Sequence, residues 1–237
     1  EGCDAPLLPY GYGLTYTVSA SPYLDLAETC ITEETANSAP VLTEDFIAPA
    51  GVPGESYFAA YPVDITLDGD FEDWAVDSVD PVLPAVTFGA VADDEFLYLW
   101  GDGVDDNIIS GENGTDYWNE DSVEFYINAT GDLGLSRYTS GVVQMNFPPL
   151  NIGLPMDALV VGGVQGADAE AQAIMVLTET GYAVEVAVPL ENAMWRIDPT
   201  SDEPLGFQVH LNGASSRNRD TKLIWSVWDA ADQSYQN

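Results

Sequence analysis

Positive charge is almost absent from this chain. Its 237 residues include 40 Asp and Glu but only five Lys and Arg, and none of the five precedes Arg137. Such an acidic surface repels phosphate backbones and anionic lipid headgroups, which argues against nucleic acid and membrane surfaces as partners. The same charges repel one another, so salt, divalent cations or wide spacing must relieve that repulsion.

Histidine and long apolar runs are also scarce. His210 is the only histidine and falls within a predicted strand, which argues against a Ser-His-Asp triad and a histidine-rich zinc site. No apolar run is long enough to span a membrane. Neighbouring carboxylates do not by themselves make a glycosidase, because that chemistry needs a set separation across a sugar cleft. The sequence therefore predicts a protein that is not an enzyme and does not insert into a membrane.

Cysteine is limited to Cys3 and Cys30, both near the N-terminus. The natural hypothesis is a disulfide between them, which implies an oxidising compartment and staples a segment too small to build its own core. Two unpaired thiols are the alternative. No signal peptide begins at Glu1, so we expect a mature secreted protein located outside the cell or at its surface.

Strand-forming residues dominate the composition that remains. Val, Ile, Thr and aromatic residues are plentiful, Gly and Pro recur throughout, and no long apolar stripe has helical spacing. This pattern predicts an all-β fold, an antiparallel β-sandwich with jelly-roll or immunoglobulin-like layers. Strands are expected at residues 63–67, 86–91, 96–100, 123–127, 141–146, 158–161, 172–177, 182–188, 207–211 and 223–227.

Residues 1–56 differ from the rest and are expected to form an extended N-terminal arm. They contain one alternating segment, 14–18, followed by acidic loops that contain Pro. A turn-forming stretch at 49–54 comes next, so we place the sandwich at residues 57–237. Because the arm has no core of its own, it has to pack on its own sandwich or on a neighbouring chain.

The most informative stretch is 117–128, where a polar loop leads into an alternating strand. Alternation of apolar and polar side chains is typical of a half-buried strand. If the extended conformation reaches back to Trp118, the indole lies on the same side as Glu124 and Tyr126. An aromatic platform beside a hydrogen-bonding carboxylate suits a sugar ring.

Four motifs follow one another along the chain: ITLDGDFEDW at 65–74, ADDEFLYLW at 92–100, WNEDSVEFYIN at 118–128 and GYAVEVAVPL at 181–190. Their order and spacing resemble family 9 carbohydrate-binding modules and related extracellular β-sandwiches. The resemblance covers most of the chain from Val63 onward. It implies a calcium-stabilised sandwich that grips a sugar end between two tryptophans.

The resemblance also implies a sugar site. Trp118 matches the first tryptophan, six residues before the carboxylate that here is Glu124, and the second would be Trp225 or Trp228. Ring stacking would supply affinity, and the carboxylate would fix the orientation of the sugar hydroxyls. The further candidates for sugar contacts are Tyr126, Arg137 and Asn212.

Calcium binds six to eight oxygen atoms, and acidic turns supply them readily. The chain has such turns at 68–73 and 101–107, and a further Asp stands at the start of the central strand. No EF-hand spacing is present, and solvated acidic loops are the alternative interpretation. The candidate calcium ligands are Asp68, Asp70, Asp102, Asp105, Asp106 and Asp121.

Two hypotheses of function remain open. The first is a non-catalytic, extracellular, calcium-stabilised β-sandwich that binds a glycan or polysaccharide through Trp118, Glu124 and a C-terminal tryptophan. The second is a structural subunit of an extracellular filament or surface layer, in which the arm is donated as a strand to an identical neighbour. The chain stops at Asn237, where the family usually continues into a closing strand, and an edge left open there would need a cover.

Overall fold

The computed structural model describes residues 59–74, 85–132, 135, 137–201 and 203–225. The N-terminal arm with Cys3 and Cys30, and Trp228 near the C-terminus, lie outside these residues. The disulfide, the donated strand, the absent closing strand and the boundary between residues 56 and 57 therefore stay predictions. No helix in the described part of the chain is long and apolar enough to cross a membrane.

The strands make two antiparallel four-stranded sheets, which confirms the predicted all-β sandwich. The strands are β1 (Ala85–Ala92), β2 (Phe96–Val104), β3 (Ser122–Asn128), β4 (Val142–Phe147), β5 (Gln172–Leu177), β6 (Gly181–Pro189), β7 (Gly206–Gly213) and β8 (Thr221–Ile224). Sheet I has the order β1-β2-β6-β5, and sheet II has the order β4-β3-β7-β8. Short 3₁₀ turns occur at Phe71–Asp73, Tyr117–Asn119, Pro149–Asn151, Met156–Ala158 and Gly166–Ala169.

The main core lies between the two sheets. In β3, the apolar residues Val123, Phe125 and Ile127 point inward and are fully buried, as their alternation predicts. Phe125 packs edge-on against Phe147 of β4, with ring centroids 6.1 Å apart. Phe88 of β1 joins them in the core, so aromatic rings from both sheets fill the interior and hold the sheets in register.

A second apolar cluster covers the outer face of sheet I. Residues 60–74 cross this face, and Trp74 packs near Trp100 of β2 at 6.2 Å between ring centroids. The predicted strand at 63–67 is wrong, because this segment lies across the sheet and makes only an isolated bridge between Ala60 and Val91. Its alternation nevertheless has a cause, since Ile65 is buried in the cluster and its two neighbours are exposed.

Most of the remaining strands begin and end within a few residues of the predicted bounds. The exception is 158–161, where the structure has the end of a 3₁₀ turn and no strand. The chain pairs with the edge of sheet II just beyond this stretch, through reciprocal backbone hydrogen bonds between Asn146 and Gly162. The apolar stretch at 158–161 does lie close to sheet II, but the single bridge between Asn146 and Gly162 is too short to count as a strand.

Candidate polar face of sheet II

The outer face of sheet II is polar along three adjacent strands. Cross-strand pairing places Glu124 of β3 between Asn146 of β4 and His210 of β7, and it places Tyr126 between Gln144 and Gln208. Paired residues point to the same side of a sheet. We call this surface the polar face; its members are Ser122, Glu124, Tyr126, Asn128, Gln144, Asn146, Gln208, His210 and Asn212.

Glu124 is the centre of the hydrogen-bond network on the polar face. Its Oε2 accepts a hydrogen bond of 2.7 Å from the Tyr126 hydroxyl and lies 3.3 Å from Nδ1 of His210. Its Oε1 accepts hydrogen bonds from the side-chain amides of Asn146 at 2.7 Å and Gln144 at 3.1 Å. Both carboxylate oxygens are thus held by side chains of the three adjacent strands β4, β3 and β7.

This network determines the charge of Glu124. Burial alone would raise the pKa of the Glu124 carboxyl, but the hydrogen bonds and charge from His210, together with those from Asn146 and Tyr126, outweigh it and lower the pKa to about 2. The carboxylate therefore stays ionised through the ordinary pH range. Tyr126 also packs against the His210 ring, with centroids 4.4 Å apart.

The polar face is closed to solvent in this conformation. Glu124 is 0% exposed, and Ser122, Asn146, His210 and Asn212 are equally buried. Buried polar groups are stable only when they are hydrogen-bonded, and the network above meets that requirement for Glu124. The face is therefore a preorganised set of donors and acceptors.

Trp118 stands at the exposed rim of this face, at the N-terminal end of β3. It lies in the 3₁₀ turn Tyr117–Asn119 and is 44% exposed. The guanidinium of Arg219 lies over its indole at 5.3 Å from the ring centroid, and the same guanidinium donates a hydrogen bond of 2.8 Å to Oδ1 of Asn212. The rim and the polar face are joined through Asn212, whose amide also donates to Ser122.

Two loops position the rim, and Asp121 ties them together. Its carboxylate accepts hydrogen bonds from the backbone N–H of Ile109 in one loop and of Ala214 in the other, the latter at 2.5 Å. Further along, the backbone N–H of Arg219 donates to the carbonyl of Asn119 at 2.8 Å. These bonds fix the loop that carries Trp118 against the loop that carries Arg219.

The structure brings together four of the seven sequence-predicted sugar residues. Trp118, Glu124, Tyr126 and Asn212 all belong to the polar face or its rim. However, Trp118 lies in a turn, so the prediction that an extended strand carries it to this side is wrong in its cause.

The other three predicted sugar residues do not join this group. Trp225 is buried in the main core, 5.4 Å from Phe88 between ring centroids, and is wrong as a sugar platform. Arg137 is exposed on the loop that follows β3, at the opposite end of that strand from Trp118. Trp228 lies outside the described residues, so its assignment stays a prediction.

Sequence reasoning missed Gln144, Asn146 and His210 of the polar face, and Arg219 at its rim. The signal was present in the alternation of β4 and β7, where polar residues at every second position interrupt otherwise apolar strands. Such residues would be expected to face solvent, so their burial required the structure.

The six predicted calcium ligands do not form one site. Asp68 and Asp70 belong to the turn over sheet I, where Oδ1 of Asp68 accepts the backbone N–H of Asp70 at 2.9 Å. Asp102 lies on β2, burial raises the pKa of its carboxyl to about 6, and its Oδ1 has no hydrogen-bond partner in the described structure. Asp106 is exposed. Within the described ranges, no group of three or more acidic, His or Cys side chains is placed to hold a metal ion.

Asp105 and Asp121 are the two candidates that do meet. Burial raises the pKa of the Asp121 carboxyl; the hydrogen bond from Ile109 opposes this, the charge of Asp105 adds to it, and the result is about 7. Burial and then the charges of Asp121 and Asp105 raise the pKa of the buried Tyr182 hydroxyl, which has no hydrogen-bond partner among the described residues. The repulsion between two adjoining carboxylates is relieved by a shared proton or by a cation.

The family of this chain follows from its match to a known protein family. The model of the family described as carbohydrate family 9 binding domain-like matches residues 65–237. The chain belongs to this family. Family 9 modules are non-catalytic carbohydrate-binding domains, which agrees with the prediction that the chain is not an enzyme.

Solved structures show the same fold. One is a family 9 module from Caldicellulosiruptor kristjanssonii in complex with cellotriose: it is 20% identical, the match covers 75% of this chain and 86% of that one, and the TM-score is 0.55. A structure of a family 9 module from the same organism with glucose is 19% identical, with 76% and 88% coverage and a TM-score of 0.52. A comparison with curated protein sequences found no match.

Proposed function

We propose that this family 9 module binds a glycan end on the polar face of sheet II, with Trp118 as the stacking platform and Glu124 as the acceptor for sugar hydroxyls. The observation that carries the proposal is the placement of an ionised carboxylate at the centre of a polar sheet face whose rim carries an exposed tryptophan. Solved relatives hold cellotriose and glucose, which makes a gluco-oligosaccharide the first ligand to test.

The chemistry of the face matches that of a sugar. A pyranose has apolar C–H groups on its ring faces, which pack on an aromatic ring, and hydroxyls at its edge. Glu124 accepts hydrogen bonds only, whereas the amides of Asn146 and Gln144 both donate and accept. A face built from these groups can exchange hydrogen bonds among its own members for hydrogen bonds to a ligand.

The burial of the face sets the order of events. Trp118 is accessible in this conformation, while Glu124 is 0% exposed. A sugar therefore meets Trp118 first, and contact with Glu124 requires the face to open. Hydrogen bonds broken on opening must be replaced by bonds to the ligand, because an unsatisfied buried polar group is costly.

Isothermal titration of the full chain with cellotriose tests this proposal. We expect saturable binding, and we expect Trp118→Ala to weaken it by about tenfold, since a ring-stacking contact contributes on the order of 1 kcal/mol. The matched control is Leu177→Ala, because Leu177 is also a large exposed apolar residue, 64% exposed, but lies on β5 of sheet I. Equal affinities in wild type and Trp118→Ala would show that the site lies elsewhere.

We extend the proposal to calcium and to location. The meeting of Asp105 and Asp121 supports a structural cation there, with the buried Tyr182 hydroxyl nearby. The acidic surface and the two cysteines, which are expected to form a disulfide, support action outside the cytoplasm. The filament hypothesis depends on the arm, which lies outside the described residues.

A further inference from the structure

The few cations of this chain are not evenly distributed. Three of the five, Arg217, Arg219 and Lys222, lie within the six residues 217–222 that connect β7 to β8 and begin β8. This is the connection that forms the rim beside Trp118. On a chain with a formal net charge of −35, such clustering at one place calls for a physical role.

Two of these cations point toward the polar face. Lys222 pairs with Asn212 across β7 and β8, so its side chain is on the same side of sheet II as Asn212. Arg219 reaches Asn212 from the loop through its 2.8 Å hydrogen bond. The N-terminal end of the face, near Trp118, is therefore flanked by two positive charges.

Within the part of sheet II that the structure describes, the outer face carries little negative charge. Among the described outer-face positions of sheet II, Glu124 is the single carboxylate, and its charge is matched by the donors around it. The nearby loop carboxylates are turned to other partners: Glu120 is buried and accepts the backbone N–H groups of Glu112 and Asn113. Asp220 accepts hydrogen bonds from the backbone N–H and hydroxyl of Ser215.

We infer that the rim selects a glycan that carries a carboxylate, so that the preferred ligand class is a uronic-acid-containing oligosaccharide. This inference rests on the proposed function, since it names the ligand class of the same site. A sugar ring stacked at Trp118 with a carboxylate at its C6 position brings that group toward Arg219 and Lys222. Charge-assisted hydrogen bonds from Arg and Lys to a carboxylate are stronger than neutral ones.

The acidity of the rest of the chain does not prevent this. The Debye length is about 8 Å at physiological ionic strength, so carboxylates farther away than this are largely screened. A short ligand in contact with Arg219 and Lys222 therefore responds mainly to them. A long polyanion meets many more of the chain's 40 acidic residues, so short oligosaccharides are the proper probes.

The test compares cellotriose with cellotriose oxidised at C6 to the carboxylate, by isothermal titration of the full chain at pH 7 and 0.15 M salt. The two probes have the same glucan backbone and differ only at C6, where the neutral hydroxymethyl group is replaced by a carboxylate. We expect the oxidised sugar to bind about fivefold more tightly, because partly exposed ion pairs contribute up to on the order of 1 kcal/mol. We expect Lys222→Gln to remove the preference while affinity for neutral cellotriose is retained, and Lys222→Arg to preserve it.

A matched control is Arg196→Gln. Arg196 is also a cation, with a side chain 82% exposed that pairs with Glu191 at 3.7 Å on the connection after β6. This variant should keep the full preference for the oxidised sugar. It separates a local contact from a general change in net charge.

The outcomes are distinguishable. If neither sugar binds, the proposed function fails and the inference fails with it. If the two sugars bind equally, the proposed function stands and the inference is overturned. A preference that survives in Lys222→Gln overturns the assignment to this rim. Equal competition by short oligo-glutamate shows a site for carboxylates in general and overturns the assignment to glycans.

Discussion

The two sheets each carry one buried glutamate on the outer face of a central strand, and the two glutamates have opposite properties. Glu185 of sheet I accepts hydrogen bonds from the backbone N–H of Gly69 and the indole Nε1 of Trp74, both at 2.8 Å. Glu124 of sheet II accepts hydrogen bonds from side chains of its own sheet. Burial raises the pKa of the Glu185 carboxyl despite these donors, whereas the pKa of Glu124 is lowered.

The difference teaches what each carboxylate does. The donors to Glu185 belong to the segment 60–74, which covers sheet I with apolar residues such as Ile65. That glutamate attaches a segment of chain to the sheet through the backbone N–H of Gly69 and the buried indole of Trp74. The donors to Glu124 are side chains of its own sheet, which offer hydrogen-bonding groups to the outer face. The contrast supports a structural role for the outer face of sheet I and the proposed ligand binding on that of sheet II.

The largest effect is expected from Trp74→Ala. This change removes a buried aromatic ring and a donor to Glu185, and should lower the free energy of unfolding by about 3–5 kcal/mol, as measured by urea denaturation. The affinity of the folded variant for cellotriose should stay within about twofold of wild type. Trp118 is exposed, so Trp118→Ala should lower the free energy of unfolding by less than about 1 kcal/mol. A loss of stability of similar size in both variants would remove the distinction between the two faces.

A smaller effect is expected from Glu124→Gln, because the amide cannot replace a charged acceptor. Affinity for cellotriose should fall by about 30-fold, corresponding to about 2 kcal/mol for hydrogen bonds to a charged group. Glu185→Gln is the matched variant and should leave the affinity unchanged in the same titration. Equal weakening of cellotriose binding by Glu185→Gln and Glu124→Gln would contradict the placement of the site on sheet II.

The pH dependence of stability should also differ between the two buried glutamates, Glu124 and Glu185. The pKa of Glu124 is depressed in the folded state, so its contribution is present above its ordinary value of 4.5 and is lost as pH falls through about 2. Melting temperatures measured between pH 5 and pH 2 should therefore fall more steeply for wild type than for Glu124→Gln. Glu185 has a raised pKa and the opposite sign, so Glu185→Gln should not reduce this acid sensitivity.

The smallest effect concerns the carboxylate pair at the rim. The pKa of Asp121 is raised to about 7, so the stability it contributes is present below its ordinary value of 3.8 and is lost as pH rises through about 7. In the presence of chelator, the melting temperature of wild type should decline by a few degrees between pH 5 and pH 8. Added calcium should reverse the decline at pH 8, and Asp121→Asn should flatten it. A melting temperature at pH 8 that does not respond to calcium would contradict the proposed cation.

The sequence predicted the fold well because alternation is a local property. The pattern around Phe125 and that around Val184 each indicate a strand buried on at least one side, and both residues are fully buried. Alternation failed at 63–67, where it reflects a segment that packs across a sheet without pairing in it. Periodicity reports burial on one side, and it cannot distinguish these two ways of achieving it.

The candidate site was predicted in part, for a reason that also concerns distance along the chain. Trp118, Glu124 and Tyr126 are close in sequence, so one motif could indicate all three. Asn146 and His210 come from strands that are distant in sequence, and only the pairing register places them beside Glu124. Trp225 was misassigned because a tryptophan near the end of a sequence gives no sign of which side of the sheet it faces.

Asp121 fixes the distance between the two rim loops independently of which side chains those loops present. Because one carboxylate holds the backbone of both loops, side chains farther along each loop can be exchanged without altering the distance between them. Ligand preference could thus diverge among descendants of this chain through substitutions at the exposed positions, while the frame that presents them is inherited unchanged. A change at Asp121 itself would instead disturb both loops together, whatever residues they present.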